Sequence, residues 1–150
     1  MRIFVDTNVL FDVFAQREPF FEAAKKLFIM QAFGDAELWA APQSYLDIFY
    51  VLKREHPGTE LHAALGKSLE RVNLCATEHA DVAAACSAGW NDVKDALIAG
   101  AARKIGADYL LTRDENQPGF DALPFPALTP ETFFDHLRSE FNVSYDEIGL

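Results

Sequence analysis

Five aspartates in this chain stand where carboxylates could do chemistry. Asp6 closes the apolar run Ile3-Phe4-Val5. Asp47 interrupts Leu46-Asp47-Ile48-Phe49. Asp92 and Asp95 open the stretch Asp92-Val93-Lys94-Asp95-Ala96-Leu97-Ile98. Asp114 follows Leu110-Leu111-Thr112-Arg113. Brought to one place, these like charges would repel and raise one another's pKa. A divalent cation removes that penalty. Oxygen ligands with no cysteine or histidine among them select a hard ion, Mg²⁺ or Mn²⁺. Such sites activate water and stabilise the leaving oxygen in phosphodiester cleavage.

Taken singly, each acid also has a structural explanation. Asp6 or Thr7 can cap a first helix. Asp92 with Asp95 three residues on has the spacing of a carboxylate capping box. Asp114 precedes Glu115 and Asn116 in a polar turn. Asp47 is harder to place. Its neighbours are apolar, which predicts at least partial burial. The positions one turn away are Gln43, Ser44, Tyr50 and Val51, so no local cation balances it.

The elements around the acids decide whether they meet. Residues 2–5, 37–41, 72–74, 108–112 and 127–128 read as strands. Helices fit the residues after Asp6, then 18–33, 42–55, 59–70, 78–87, 92–105 and 130–140. Pro42 suits a first helical position, and Thr129-Pro130 forms a cap followed by such a position. Strands alternating with helices predict a parallel sheet with helices on both faces. In such sheets, function collects at the carboxyl ends of the strands. All five acids fall at that edge.

Composition bounds the rest. The chain has 150 residues, 50% hydrophobic and 24% charged, enough for one core-forming domain. No apolar run is long enough to span a membrane, and the start does not read as a signal peptide. Cys75 and Cys86 form no CxxC pair and read as free buried thiols in a reducing cytoplasm. The net charge of −10 weighs against nucleic acid as partner and favours bound cations or a basic protein. A metal held by the acids would restore positive charge locally.

Four stretches resemble the PIN-domain family in order and spacing: FVDTNVLFDVF, SYLDIFYVLKRE, DVKDALIAGAARKIGADYLLTRD and PALTPETFF. The subgroup most similar is the VapC-like ribonuclease toxins of toxin–antitoxin pairs and their orphan relatives. The resemblance spans nearly the whole chain, with 141–150 outside it as a tail, and makes 1–140 a single PIN-like domain. It implies a three-layer α/β/α sandwich around a parallel sheet of four to five strands. It implies a Mg²⁺- or Mn²⁺-dependent endoribonuclease, with RNA as substrate, an antitoxin as partner and often a homodimer. Carried over by position, Asp6, Asp95 and Asp114 are the metal ligands, and Asp47 orients or deprotonates the attacking water. Thr7, Asn8, Asp92 and Thr112 are supporting residues. The family usually has Glu where this chain has Asp47, one methylene shorter.

Other signals are weaker. Arg113 could contact phosphate or lie solvated at the surface. The doublets Lys25-Lys26, Lys53-Arg54 and Arg103-Lys104 could track a nucleic-acid backbone, although helix ends favour basic residues anyway. Trp39 and Trp90 read as core or site wall. The tail could dock or fray. Two rival functions stand beside the nuclease. One is a catalytically silent PIN-like module binding RNA or protein. The other is a phospho-acceptor domain, which would need paired acids at the first strand and a late lysine that this chain lacks.

Overall fold

The computed structural model describes residues 1–146. Its strands are β1 (Arg2–Val5), β2 (Glu37–Ala40), β3 (Val72–Leu74), β4 (Tyr109–Leu111) and β5 (Ala127–Leu128). They form one sheet in the order β3-β2-β1-β4-β5, and every pairing is parallel. The helices are α1 (Thr7–Phe14), α2 (Phe21–Ala32), α3 (Pro42–Leu52), α4 (Gly58–Ser68), α5 (His79–Ser87), α6 (Val93–Lys104) and α7 (Pro130–Phe141). The architecture is the expected three-layer α/β/α sandwich, with five strands.

The central position of β1 explains its composition. A strand covered on both faces has no polar side to present, so Ile3, Phe4 and Val5 form a continuous apolar run, all buried. The pleat sends alternate residues to opposite cores. Ile3 and Val5 join Leu10, Leu27, Ile48, Leu61 and Phe133, from α1, α2, α3, α4 and α7. Phe4 joins Ile98, Ala99, Ala102 and Phe120 on the other face. There α6 lies against the sheet and α5 packs on α6.

Two helix ends differ from the sequence reading by three residues, the others by one or two at most. The helix expected from residue 18 begins at Phe21. Pro19 disfavours helical backbone at Glu18, and the Phe20 N–H instead donates to the Arg17 carbonyl at 2.9 Å in a turn. The helix expected to reach Glu55 ends at Leu52, whose carbonyl takes the N–H groups of both Glu55 and His56 at 3.1 Å. A capping box does form, but at α5: Glu78 and Asp81 exchange side-chain-to-backbone bonds. Cys75 is buried as expected, whereas Cys86 is exposed on α5.

Loop 115–126 is held against the start of α6. Gly119 has φ +102°, and a Cβ there would lie 2.6 Å from the Trp90 ring. Only glycine lets the indole approach this closely. Trp90 also meets Phe120 edge-on at 5.7 Å. The tail docks as far as it is described. Tyr145 is buried and its hydroxyl donates to Asp35 Oδ2 at 2.5 Å. Asp146 pairs with Lys26 and Arg138. Residues 147–150 of the tail lie outside the described residues.

Candidate metal centre

Asp6 is the first residue past β1, and its backbone N–H still donates to the Leu111 carbonyl of β4 at 2.9 Å. Its side chain does two local jobs. Oδ1 accepts from the Thr7 N–H at 2.7 Å, capping α1, and Oδ2 accepts from the Thr112 hydroxyl at 2.8 Å. Capping and a place in the acidic site are therefore compatible. Asp6 is only 4% exposed, and no lysine or arginine pairs with it among the described residues. Burial raises its pKa, against the two hydrogen bonds that lower it.

The turn after β4 is built around Thr112. This hydroxyl, fully buried, donates to Asp6 and accepts from the Asp114 N–H at 3.0 Å. Asn8 closes the turn from α1. Its Oδ1 accepts from the Arg113 N–H at 3.1 Å and its Nδ2 donates to Asp114 Oδ2 at 3.3 Å. Thr7 ties α1 to α3 through a 2.6 Å hydroxyl pair with Ser44. Asp92 caps α6, accepting from the N–H groups of Lys94 and Asp95 at 2.9 and 3.2 Å. The Asp95 side chain returns no bond to the cap, so the capping box read from the sequence is half formed. Asp95 is left to face the cleft.

The result is convergence. One carboxylate oxygen from each of Asp6, Asp95 and Asp114 lies within 4.8 Å of the other two. They come from the ends of β1 and β4 and the first turn of α6. Burial, then the charges of Asp92, Asp6 and Asp114, push the Asp95 carboxyl up to about 6. Three crowded oxygens without a basic group bonded to any of them suit a hard divalent cation. The cleft around them has a volume of about 620 Å³ and also takes in Asp47, Phe11, Tyr50 and Lys94.

Asp47 is no more than half buried, the least that its apolar neighbours predicted. On α3 the inward positions are Ser44, Tyr45, Ile48 and Leu52. Asp47 falls on the opposite side with Leu46, Tyr50 and Val51, and half of its side chain is exposed. It stands on the cleft wall outside the convergent three. Its partner is Lys94 of α6, whose Nζ donates to Oδ2 at 2.5 Å.

The buried, locally unbalanced acid is Asp12 instead. It lies on α1 among Leu10, Phe11, Val13 and Phe14 and is fully buried. Arg113 reaches back to it at 2.9 Å and also pairs with Glu131 of α7. Arg17 lies 3.2 Å from its other oxygen. The Arg113 guanidinium sits 4.2 Å over the Phe20 ring. Arg113 is thus neither solvated nor part of the cleft lining, and it braces the turn that carries Asp114.

The reasoning that predicted a buried acid applied to Asp12 as well, since Asn8, Val9, Ala15 and Gln16 offer it no cation. Lys94 and Ser44 gave no such signal, because their partners lie on other elements. Of the basic doublets, Lys25, Lys26 and Lys104 hold carboxylates.

An all-carboxylate cluster at the carboxyl edge of a parallel sheet defines a class of α/β domain suited to a hard cation. Within that class the chain belongs to the PIN domain family, whose sequence model matches residues 2–116. The fold is shared with solved toxin–antitoxin structures. VapBC-1 from nontypeable Haemophilus influenzae superposes with a TM-score of 0.62 at 16% identity, over 87% of this chain and 99% of that one. A toxin–antitoxin complex from Klebsiella pneumoniae gives 0.58 at 22% identity, over 85% and 97%. VapBC2 from Rickettsia felis, bound to a DNA fragment from its promoter, gives 0.57 at 14% identity, over 85% and 97%. No curated protein matches the chain in sequence. Among the described residues, no helix is long and apolar enough to cross a membrane.

Proposed function

We propose that this chain is a metal-dependent endoribonuclease acting as the toxin of a toxin–antitoxin pair in the cytoplasm. The observation that carries the reading is the convergence of Asp6, Asp95 and Asp114 within 4.8 Å. These three would hold Mg²⁺ or Mn²⁺. When bound, the ion supplies positive charge against the phosphate and makes a water acidic enough to attack it near neutral pH.

The chain's own residues prepare that chemistry. Thr112 fixes one oxygen of Asp6, and Asn8 aims Asp114. Asp92 holds the first turn of α6 so that Asp95 faces the cleft. Asp47, on the wall, orients the attacking water. Arg113 supports the Asp114 turn from behind and does not touch the phosphate. Beside the cleft, Leu46, Tyr50 and Val51 are large apolar side chains left exposed on α3. Such a patch suits a protein partner, in keeping with an antitoxin. A homodimer belongs to the same reading.

One observation favours the second reading, a catalytically silent PIN-like module. Asp47 is engaged by Lys94 and stands apart from the other three acids. Inducible expression in bacteria, wild type beside Asp6→Asn, separates the two. Growth arrest by the wild type alone, with Mn²⁺-dependent RNA cleavage by the purified chain, supports the nuclease. Equal growth with no cleavage supports the silent module.

A further inference from the structure

Two cations line the cleft, Lys94 and Arg17. Arg17 is committed elsewhere. Its guanidinium lies 3.2 Å from buried Asp12 and packs over Phe11 and Phe20. Lys94 is different. It leaves α6 one residue before Asp95 and crosses to Asp47 on α3. Its charge is felt by both Asp6 and Asp95. Both members of the Lys94–Asp47 pair are about half exposed, at 44% and 50%. An exposed pair of this kind is weak, so the ammonium can exchange one oxyanion for another.

A site with two divalent ions clamps both the attacking and the leaving oxygen of a phosphodiester. Of the two other acids lining the cleft that could extend the three-carboxylate set toward a second ion, Asp92 is engaged in capping α6 and Asp47 already carries an ammonium. We propose that the centre takes a single divalent ion and that Lys94 supplies the second positive charge, passing from Asp47 to a phosphate oxygen of the bound RNA. No proton moves in this exchange. The ammonium keeps its three donors and trades a carboxylate for a phosphate. Asp47 then holds Lys94 over the cleft until substrate arrives, and the departure of the lysine frees its carboxylate to orient the attacking water. This inference rests on the metal-nuclease reading above.

The test uses the full chain and two probes: Mn²⁺ alone by calorimetry, and a labelled phosphorothioate oligouridylate by fluorescence anisotropy. The wild type should bind one Mn²⁺ per chain. Lys94→Gln should still bind one, but should hold the oligonucleotide several-fold more weakly, with the salt slope reduced by about 1. Lys94→Arg should restore both values. Lys94 is exposed, so the variants keep the fold, and circular dichroism checks that. Two ions bound to the wild type would overturn the proposal while leaving the nuclease reading intact. Unchanged oligonucleotide affinity in Lys94→Gln would also overturn it, because the lysine would then serve only Asp47. No ion bound at all would sink the metal reading itself, and the proposal with it.

Discussion

The Thr112 hydroxyl donates to Asp6 Oδ2 at 2.8 Å, joining two residues 106 positions apart in the chain. The Thr112 hydroxyl oxygen in turn accepts from the Asp114 backbone N–H. One buried hydroxyl therefore sets the spacing of two of the three clustered acids. Thr112→Val keeps the shape and removes both bonds. Supporting hydrogen bonds of this kind change metal affinity by about 10- to 100-fold. Calorimetry should show Mn²⁺ affinity falling within that range while the fold persists. Unchanged affinity would mean that Asp6 is positioned by α1 alone.

Asp12 and Arg113 should behave as a coupled buried pair. Asp12 is fully buried and the Arg113 side chain is 13% exposed. Removing one partner leaves the other charge uncompensated, which costs about 3–5 kcal/mol. Asp12→Ala should show that loss in urea unfolding. The Asp12→Ala, Arg113→Met double variant should recover part of it, giving a coupling energy of about 1–3 kcal/mol in a double-mutant cycle.

The pH dependence of the metal-free protein follows from Asp95. Its folded carboxyl titrates at about 6, above the ordinary 3.8. Between those values the folded chain holds more protons than the unfolded one, so stability falls as pH rises. Asp6 is shifted the same way. Thermal melts should therefore lose stability from about pH 4 to pH 6. Asp95→Asn should flatten that decline. Mn²⁺ should raise the melting temperature above pH 6 and do progressively less below it, as protons compete for the ligands.

Gly119→Ala should destabilise by about 1–3 kcal/mol, combining backbone strain at φ +102° with displacement of Trp90. Denaturant midpoints measure this. Because Trp90 stands just before Asp92, the variant should also weaken Mn²⁺ binding. Alanine at Gly100, which meets nothing within 4 Å, is the control.

Much of the frame was legible because parallel α/β sheets write it locally. Apolar triplets followed by an acid mark the carboxyl ends of β1 and β4. Proline and aspartate mark where α3 and α6 begin. The five candidate acids could be grouped because their elements had to share an edge, and the family resemblance then singled out Asp6, Asp95 and Asp114. Helical phase was the weak point. Asp47 looked buried by its immediate neighbours, yet the inward stripe through Ser44, Tyr45, Ile48 and Leu52 leaves it outside. Asp12 carried the same signature one helix earlier and is the acid that is buried. Lys94 and Arg113 were opaque for another reason. Their partners, Asp47, Asp12 and Glu131, lie on other elements, and only the packed chain brings them within reach.

The sheet order has a consequence for the life of the chain. Arg2–Val5 become the middle strand, and one neighbour of that strand, made much later in synthesis, begins only at Tyr109. Until residues near 114 have left the ribosome, Asp6 lacks Thr112, Asn8 lacks Asp114, and no cluster of oxygens exists. Pairing this distant in sequence is slow to form. A nascent chain therefore has no assembled metal centre until that stretch emerges, and under the proposed function it cannot cleave RNA before then.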